Sequence, residues 1–187
     1  MGGPLAQLPG LAINRFVSSL SQLSWFAAVG EPLTEGDIDD ARDYLQLLGF
    51  ADAEVRATPD WHTAETITRS PNWNSAWWDA EEKRRRELLE PLIAEWSEHT
   101  IMSSLTRVTT EATRVTLGAA SIAAARREVA DPALTRVAAG AATQACYQSM
   151  LAEIAGVEGD HPFYAKFRLF AAGRWPLGLV GTVFHVF

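Results

Sequence analysis

The sequence predicts an all-α fold: a bundle of five to six helices with a long kinked central helix and an apolar C-terminal arm, forming a single domain over residues 1–187. Three observations predict it. Apolar residues recur at three- and four-residue spacing along most of the chain. Residues suited to starting and stopping helices flank those stretches. Strand-like alternation is confined to the last few positions, 182–187.

The first helix is expected after Pro9-Gly10, with Ile13, Phe16, Val17, Leu20, Leu23 and Ala27 on one face and Gly30-Glu31-Pro32 ending it. The second has a capping-box entry in Thr34 and Asp37, a buried stripe of Ile38, Ala41, Leu45 and Leu48, and Gly49 just past its end. A short helix from about Asp60 to Arg69 fits between Pro59 and Pro71.

The long central segment starts at Asn74, an N-cap residue. Trp73 and Trp78 then occupy the two positions that a hydrophobic staple joins. The charged run after them reads as a solvated face, with Glu81–Arg85 and Glu82–Arg86 at the favourable i,i+4 spacing. Trp77 shares the direction of Leu88, Leu92, His99 and Thr106, with Trp96 on its flank, if one helix runs through. Pro91 predicts a kink in it. Beyond residue 100 a second stripe (Ile101, Leu105, Val108, Ala112, Val115, Ala119, Ile122) faces the opposite way, so the segment is either one helix buried on two faces or breaks near residues 97–100 and restarts; one long kinked segment is favoured.

Asp131-Pro132 is a strong helix start, and that helix runs to about Ala155 and stops at Gly156. Its alanines face those at 119–125, which predicts a close antiparallel helix pair. Pro162 opens a last helix with Phe163, Phe167 and Phe170 on one face and Gly173 beyond it. The tail after Trp175-Pro176 reads as a strand or an extended arm over the core.

Composition limits function. The chain is 48% hydrophobic and 21% charged, with a net charge of −7. The stretch from Glu31 to Asp60, with nine acidic and two basic residues, carries the whole of that excess. An acidic domain argues against nonspecific nucleic-acid binding and against anionic membrane surfaces. No stretch holds eighteen apolar residues, so no membrane span is expected, and no targeting segment is evident. Cys146 is the single cysteine, which fits a cytoplasmic protein without disulfides, and its alanine-rich setting reads as a buried, inert thiol.

No motif for nucleotide binding or for an activated nucleophile is found, and no cofactor is implied. The candidate ligand-binding set is Trp77, Trp96, His99, Thr106, Arg107 and Thr110, expected to converge as the aromatic and polar ends of one cavity along the central helix. Glu95 and His99, four residues apart, form the alternative metal pair. The expected function is that of a non-catalytic helical binding protein with a pocket for a small apolar or anionic ligand. The apolar tail predicts association with a second copy or another protein. The alternative is a helical enzyme with a buried polar or metal site around Glu95, His99 and Arg107.

Overall fold

The computed structural model describes residues 10–129 and 131–187. Seven α-helices and a small three-stranded sheet make up the described residues: α1 (Gly10–Ser19), α2 (Glu35–Leu48), β1 (Glu54–Ala57), α3 (Trp61–Thr68), α4 (Ser75–Trp96), α5 (Glu98–Ala125), α6 (Pro132–Ile154), α7 (Pro162–Ala171), β2 (Pro176–Val180) and β3 (Val183–Val186). The mostly helical bundle expected from the sequence is present, with one helix more than the upper expectation. No described helix is long and apolar enough to cross a membrane.

Local capping chemistry sets most of the helix starts. Thr34 and Asp37 form a complete capping box at α2, and Gly49 ends that helix at φ 91°. Asn74 accepts from the Trp77 amide at the head of α4. Asp131 accepts from Ala133 and Leu134 at α6. Helices α5 and α6 pack antiparallel, Thr113 meeting Thr143 and Thr116 donating to the Ala139 carbonyl at 3.3 Å. Alanines 120, 138, 142 and 145 are fully buried in this region, where small side chains let backbones approach.

Four expectations are corrected. The first helix stops at Ser19 and passes through a single 3-10 turn, Leu20–Gln22, instead of reaching Gly30. The following loop is held from elsewhere: Ala28 donates to the Gly173 carbonyl, and Arg174 binds the carbonyls of Ala28, Glu31 and Pro32. The central segment takes the broken alternative, two helices, and not the favoured single kinked one. Ser97, at φ 73°, ends α4 and its side chain caps α5, so Pro91 is tolerated within α4 and the true break lies six residues later. The apolar stripe of α5 also drifts. Ile101, Leu105, Val108 and Ala112 are buried, but Ile122 is 56% exposed while Thr116, Ala120 and Ala123 turn inward. A seven-residue repeat falls about 20° behind a straight α-helix per heptad, and three heptads separate Ile101 from Ile122. Finally, Trp73 stacks on Trp77 (6.0 Å, 19°) instead of stapling to Trp78, which stands 53% exposed.

The C-terminal arm is a β-hairpin. β2 pairs antiparallel with β3, and β1 joins β3 in parallel, giving the order β1-β3-β2. Phe184, Val186 and Phe187 are buried on their own chain, against α2, α7 and Trp61. These large side chains of the tail are thus covered within the chain itself. One apolar cluster fills the bundle between α1, α3, α5, α6 and α7. A second lies between the sheet and α2, α4 and α7.

Candidate functional site

The second cluster contains a buried polar network at the meeting of four helices. Glu81, on α4, is 3% exposed, and Lys166, on α7, is 7% exposed. The Lys166 ammonium donates to Glu81 Oε1 at 2.6 Å and to Gln148 Oε1, on α6, at 3.2 Å. Tyr44, on α2, donates to the same Glu81 oxygen at 2.7 Å, and its own oxygen accepts from the Trp77 indole at 2.9 Å. Gln148 also approaches Glu81 Oε2 at 3.4 Å. Burial, and then the negative charge of Glu81, hold the Tyr44 phenol well above its ordinary pKa, so it stays a donor to that carboxylate.

Helical phase puts Glu81 there. It stands one turn beyond Trp77, on the face that meets α2 and α7. Its expected partner, Arg85, pairs instead with Glu82 on the outer face. The charged run is thus not uniformly solvated: one of its acids is drawn into the core because a lysine from α7 meets it there. Lys166 is the only charged residue among the buried positions of α7.

Beside this network lies a cavity of about 540 Å³. Four tryptophans line it: Trp73, Trp77, Trp78 and Trp175. Val137 and Ala141 of α6 and Pro176 and Leu177 of β2 line it as well. Its polar lining includes Gln144, Asn74, the acid Asp79 and, from the network, Lys166. The volume lies within the range of small-ligand sites, roughly 300–1,000 Å³.

Backbone pairing fixes the aromatic wall. The Asn74 amide donates to the Leu179 carbonyl, Gly181 donates to Asn72, and the Asn74 side chain donates to the Gly181 carbonyl, each at 3.0 Å. These bonds lay Trp73 across β2. Gly178, at φ 132°, makes room for it: a Cβ there would stand 2.8 Å from Trp77 Cη2 and closer still to the Trp73 ring. A bulge at this point of the β2–β3 pairing lets Leu177 fall outside the register, and Leu177 lines the cavity.

The residues expected to form a site are only partly brought together. Trp77 is buried at the cavity wall. Trp96 is half-buried at the end of α4, against the bundle core. His99, Thr106, Arg107 and Thr110 are exposed on α5, and Thr106 bonds back to the Met102 carbonyl of its own helix. The break at Ser97 resets the helical phase, so the direction of Trp77 does not continue into α5. Glu95 and His99 are also exposed. Among the described residues, no group of three or more His, Cys, Asp or Glu is placed to hold a metal ion. Sequence reasoning missed Glu81, Lys166, Gln148 and Tyr44. The available signals were an acid four residues from a core tryptophan and a lysine within the phenylalanine stripe of α7.

The sequence matches no family model, and no curated protein or solved structure resembles it at a significant level.

A second buried pair lies at the far end of α2. Arg174 (2% exposed) donates from Nε to Asp37 (5%) at 3.1 Å, its Nη2 lies 3.0 Å from the same carboxylate oxygen, and it donates further to the Ala28, Glu31 and Pro32 carbonyls. Four hydrogen bonds and an ion contact thus hold the guanidinium. Asp37 in turn accepts from the Thr34 amide. This pair ties the loop after α1 to α2 and α7, and it lines none of the cavity.

The remaining titratable groups have structural settings. The Cys146 thiol is pushed up to about 12 by burial, which keeps it protonated near neutral pH. His161 accepts the Phe163 amide at the head of α7, and its pKa is lowered to about 4, chiefly by burial and then by the Arg84 charge.

Proposed function

We propose that this protein is a non-catalytic binding protein that takes one small, largely apolar, planar ligand into the tryptophan-lined cavity. The observation that carries this reading is a wall of four tryptophans next to a buried lysine that two protein acceptors hold in place. Large flat aromatic surfaces supply most of the apolar area a small ligand buries, and one fixed polar group orients it. The network supports binding more than turnover: the Lys166 amine is tied to a carboxylate and the Tyr44 phenol is held protonated, so neither is presented as a free nucleophile or base.

The test is isothermal titration with 2-isopropylnaphthalene, an apolar probe sized for the cavity, against the wild type and Ala141→Phe. Ala141 lines the cavity without taking part in the polar network. The expected result is saturable one-to-one binding that Ala141→Phe abolishes at unchanged urea midpoint. Binding that survives Ala141→Phe, or an absence of saturable binding, overturns the reading.

A further inference from the structure

Resting on that reading of the cavity, we propose that its ligand is uncharged and carries a carbonyl-type acceptor, which takes the third N–H of Lys166. An ammonium has three donors. Among the described residues, two have acceptors, Glu81 Oε1 at 2.6 Å and Gln148 Oε1 at 3.2 Å. Lys166 is 7% exposed and lines the cavity. A buried donor without an acceptor is costly, which favours occupants that bring one.

Charge then decides between acceptors. Glu81 already offsets the charge of Lys166. No second base lines the cavity among the described residues, and its other charged lining group, Asp79, is an acid. A ligand carboxylate on the third N–H would lie roughly 4.5 Å from the Glu81 carboxylate, since acceptors on one ammonium diverge tetrahedrally at ordinary hydrogen-bond lengths. Two anions that close in a poorly solvated site repel, and a single lysine does not balance both. A cation gains from the tryptophan faces but meets the Lys166 ammonium. A ketone, aldehyde, ester or amide oxygen satisfies the donor without either penalty.

Four shape-matched probes separate these cases: 2-acetylnaphthalene, 2-isopropylnaphthalene, 2-naphthoate and 2-naphthyltrimethylammonium, titrated calorimetrically at pH 7. The acetyl probe is expected to bind at least tenfold tighter than each of the other three. In the double variant Glu81→Gln/Lys166→Met its advantage over the isopropyl probe should shrink to within about twofold, with the affinity for the isopropyl probe retained. The infrared carbonyl band of bound 2-acetylnaphthalene gives a readout that needs no variant, and it should move to lower wavenumber in the wild type. Equal affinity for the acetyl and isopropyl probes, or an unshifted band, overturns the acceptor assignment and leaves the cavity reading standing. Tightest binding by naphthoate or by the ammonium probe overturns the neutrality of the ligand. If none of the four binds, the cavity reading falls and this inference falls with it.

Discussion

The two buried ion pairs stand at different points along α2 and α7, and they differ in what surrounds the cation. Around Arg174, one N–H donates to Asp37 and three donate to backbone carbonyls of the loop after α1, with Nη2 also 3.0 Å from the Asp37 carboxylate. Around Lys166 the acceptors are side chains on two other helices, Glu81 of α4 and Gln148 of α6, two of three donors are engaged, and the lysine borders a cavity. A pair that binds loop carbonyls and borders no cavity orders a chain segment. An open pair keeps a fixed donor beside apolar surface. Equal burial therefore does not mean equal role, and what surrounds each cation separates the two.

The strongest way to break this comparison is to remove the cation that binds the loop. Arg174→Met leaves Asp37 buried without its cation and orphans the Glu31 and Pro32 carbonyls, while the Ala28 carbonyl keeps the Glu31 amide. Urea denaturation should show a loss of about 3–5 kcal/mol. A loss under about 1 kcal/mol would mean the pair does not hold the loop. Next in size is Lys166→Met, which leaves Glu81 buried but still hydrogen-bonded to Tyr44 and Gln148. It should cost about 3 kcal/mol, and adding Glu81→Gln should recover most of that, because a buried pair removed as a unit costs far less than one partner removed alone. No such recovery is expected at the other pair on adding Asp37→Asn to Arg174→Met, since the Glu31 and Pro32 carbonyls stay unpaired.

Gly178→Ala sharpens the comparison from the aromatic side. Its new Cβ would press on the Trp73 and Trp77 rings, at a backbone angle that side chains resist. About 1–3 kcal/mol of stability should be lost, with a changed tryptophan near-ultraviolet circular dichroism and lost probe binding. At the Arg174 site the variant should change nothing.

How much of this was legible in the sequence depends on range. The starts of α2, α4 and α6 were readable because Thr34, Asn74 and Asp131 act on amides two or three residues away. β1 was not, because its exposed residues Glu54–Ala57 become a strand only by pairing with β3, some 130 residues on. Glu81 was hidden by its charged neighbours: composition said surface, while helical phase relative to Trp77 said core, and only the arrival of Lys166 from α7 decides between them. The expected cavity along Trp77, Trp96 and His99 assumed unbroken helix, and one residue in the left-handed region, Ser97, removed that premise. Trp77 alone of that set lines the cavity that exists.

The smallest expected effect is a pH dependence. His161 titrates at about 4 in the folded chain against an ordinary 6.5, so the unfolded chain binds the extra proton first. Stability should therefore be fully present above pH 6.5 and decline as pH falls toward 4. His185, also lowered by burial, adds in the same direction. His161→Asn keeps a capping acceptor but removes the titration, so its urea midpoint should fall less than that of the wild type between pH 7 and pH 5. Equal declines would place the dependence elsewhere.

Only two lysines, Lys83 and Lys166, occur in the chain, so selective ¹⁵N labelling of lysine gives one buried and one exposed ammonium to follow. Titrating 2-acetylnaphthalene into the labelled protein should move the Lys166 Nζ resonance to a saturable endpoint while Lys83 stays fixed. A Lys166 resonance that does not move at saturating probe would contradict the claim that this ion pair is the open one.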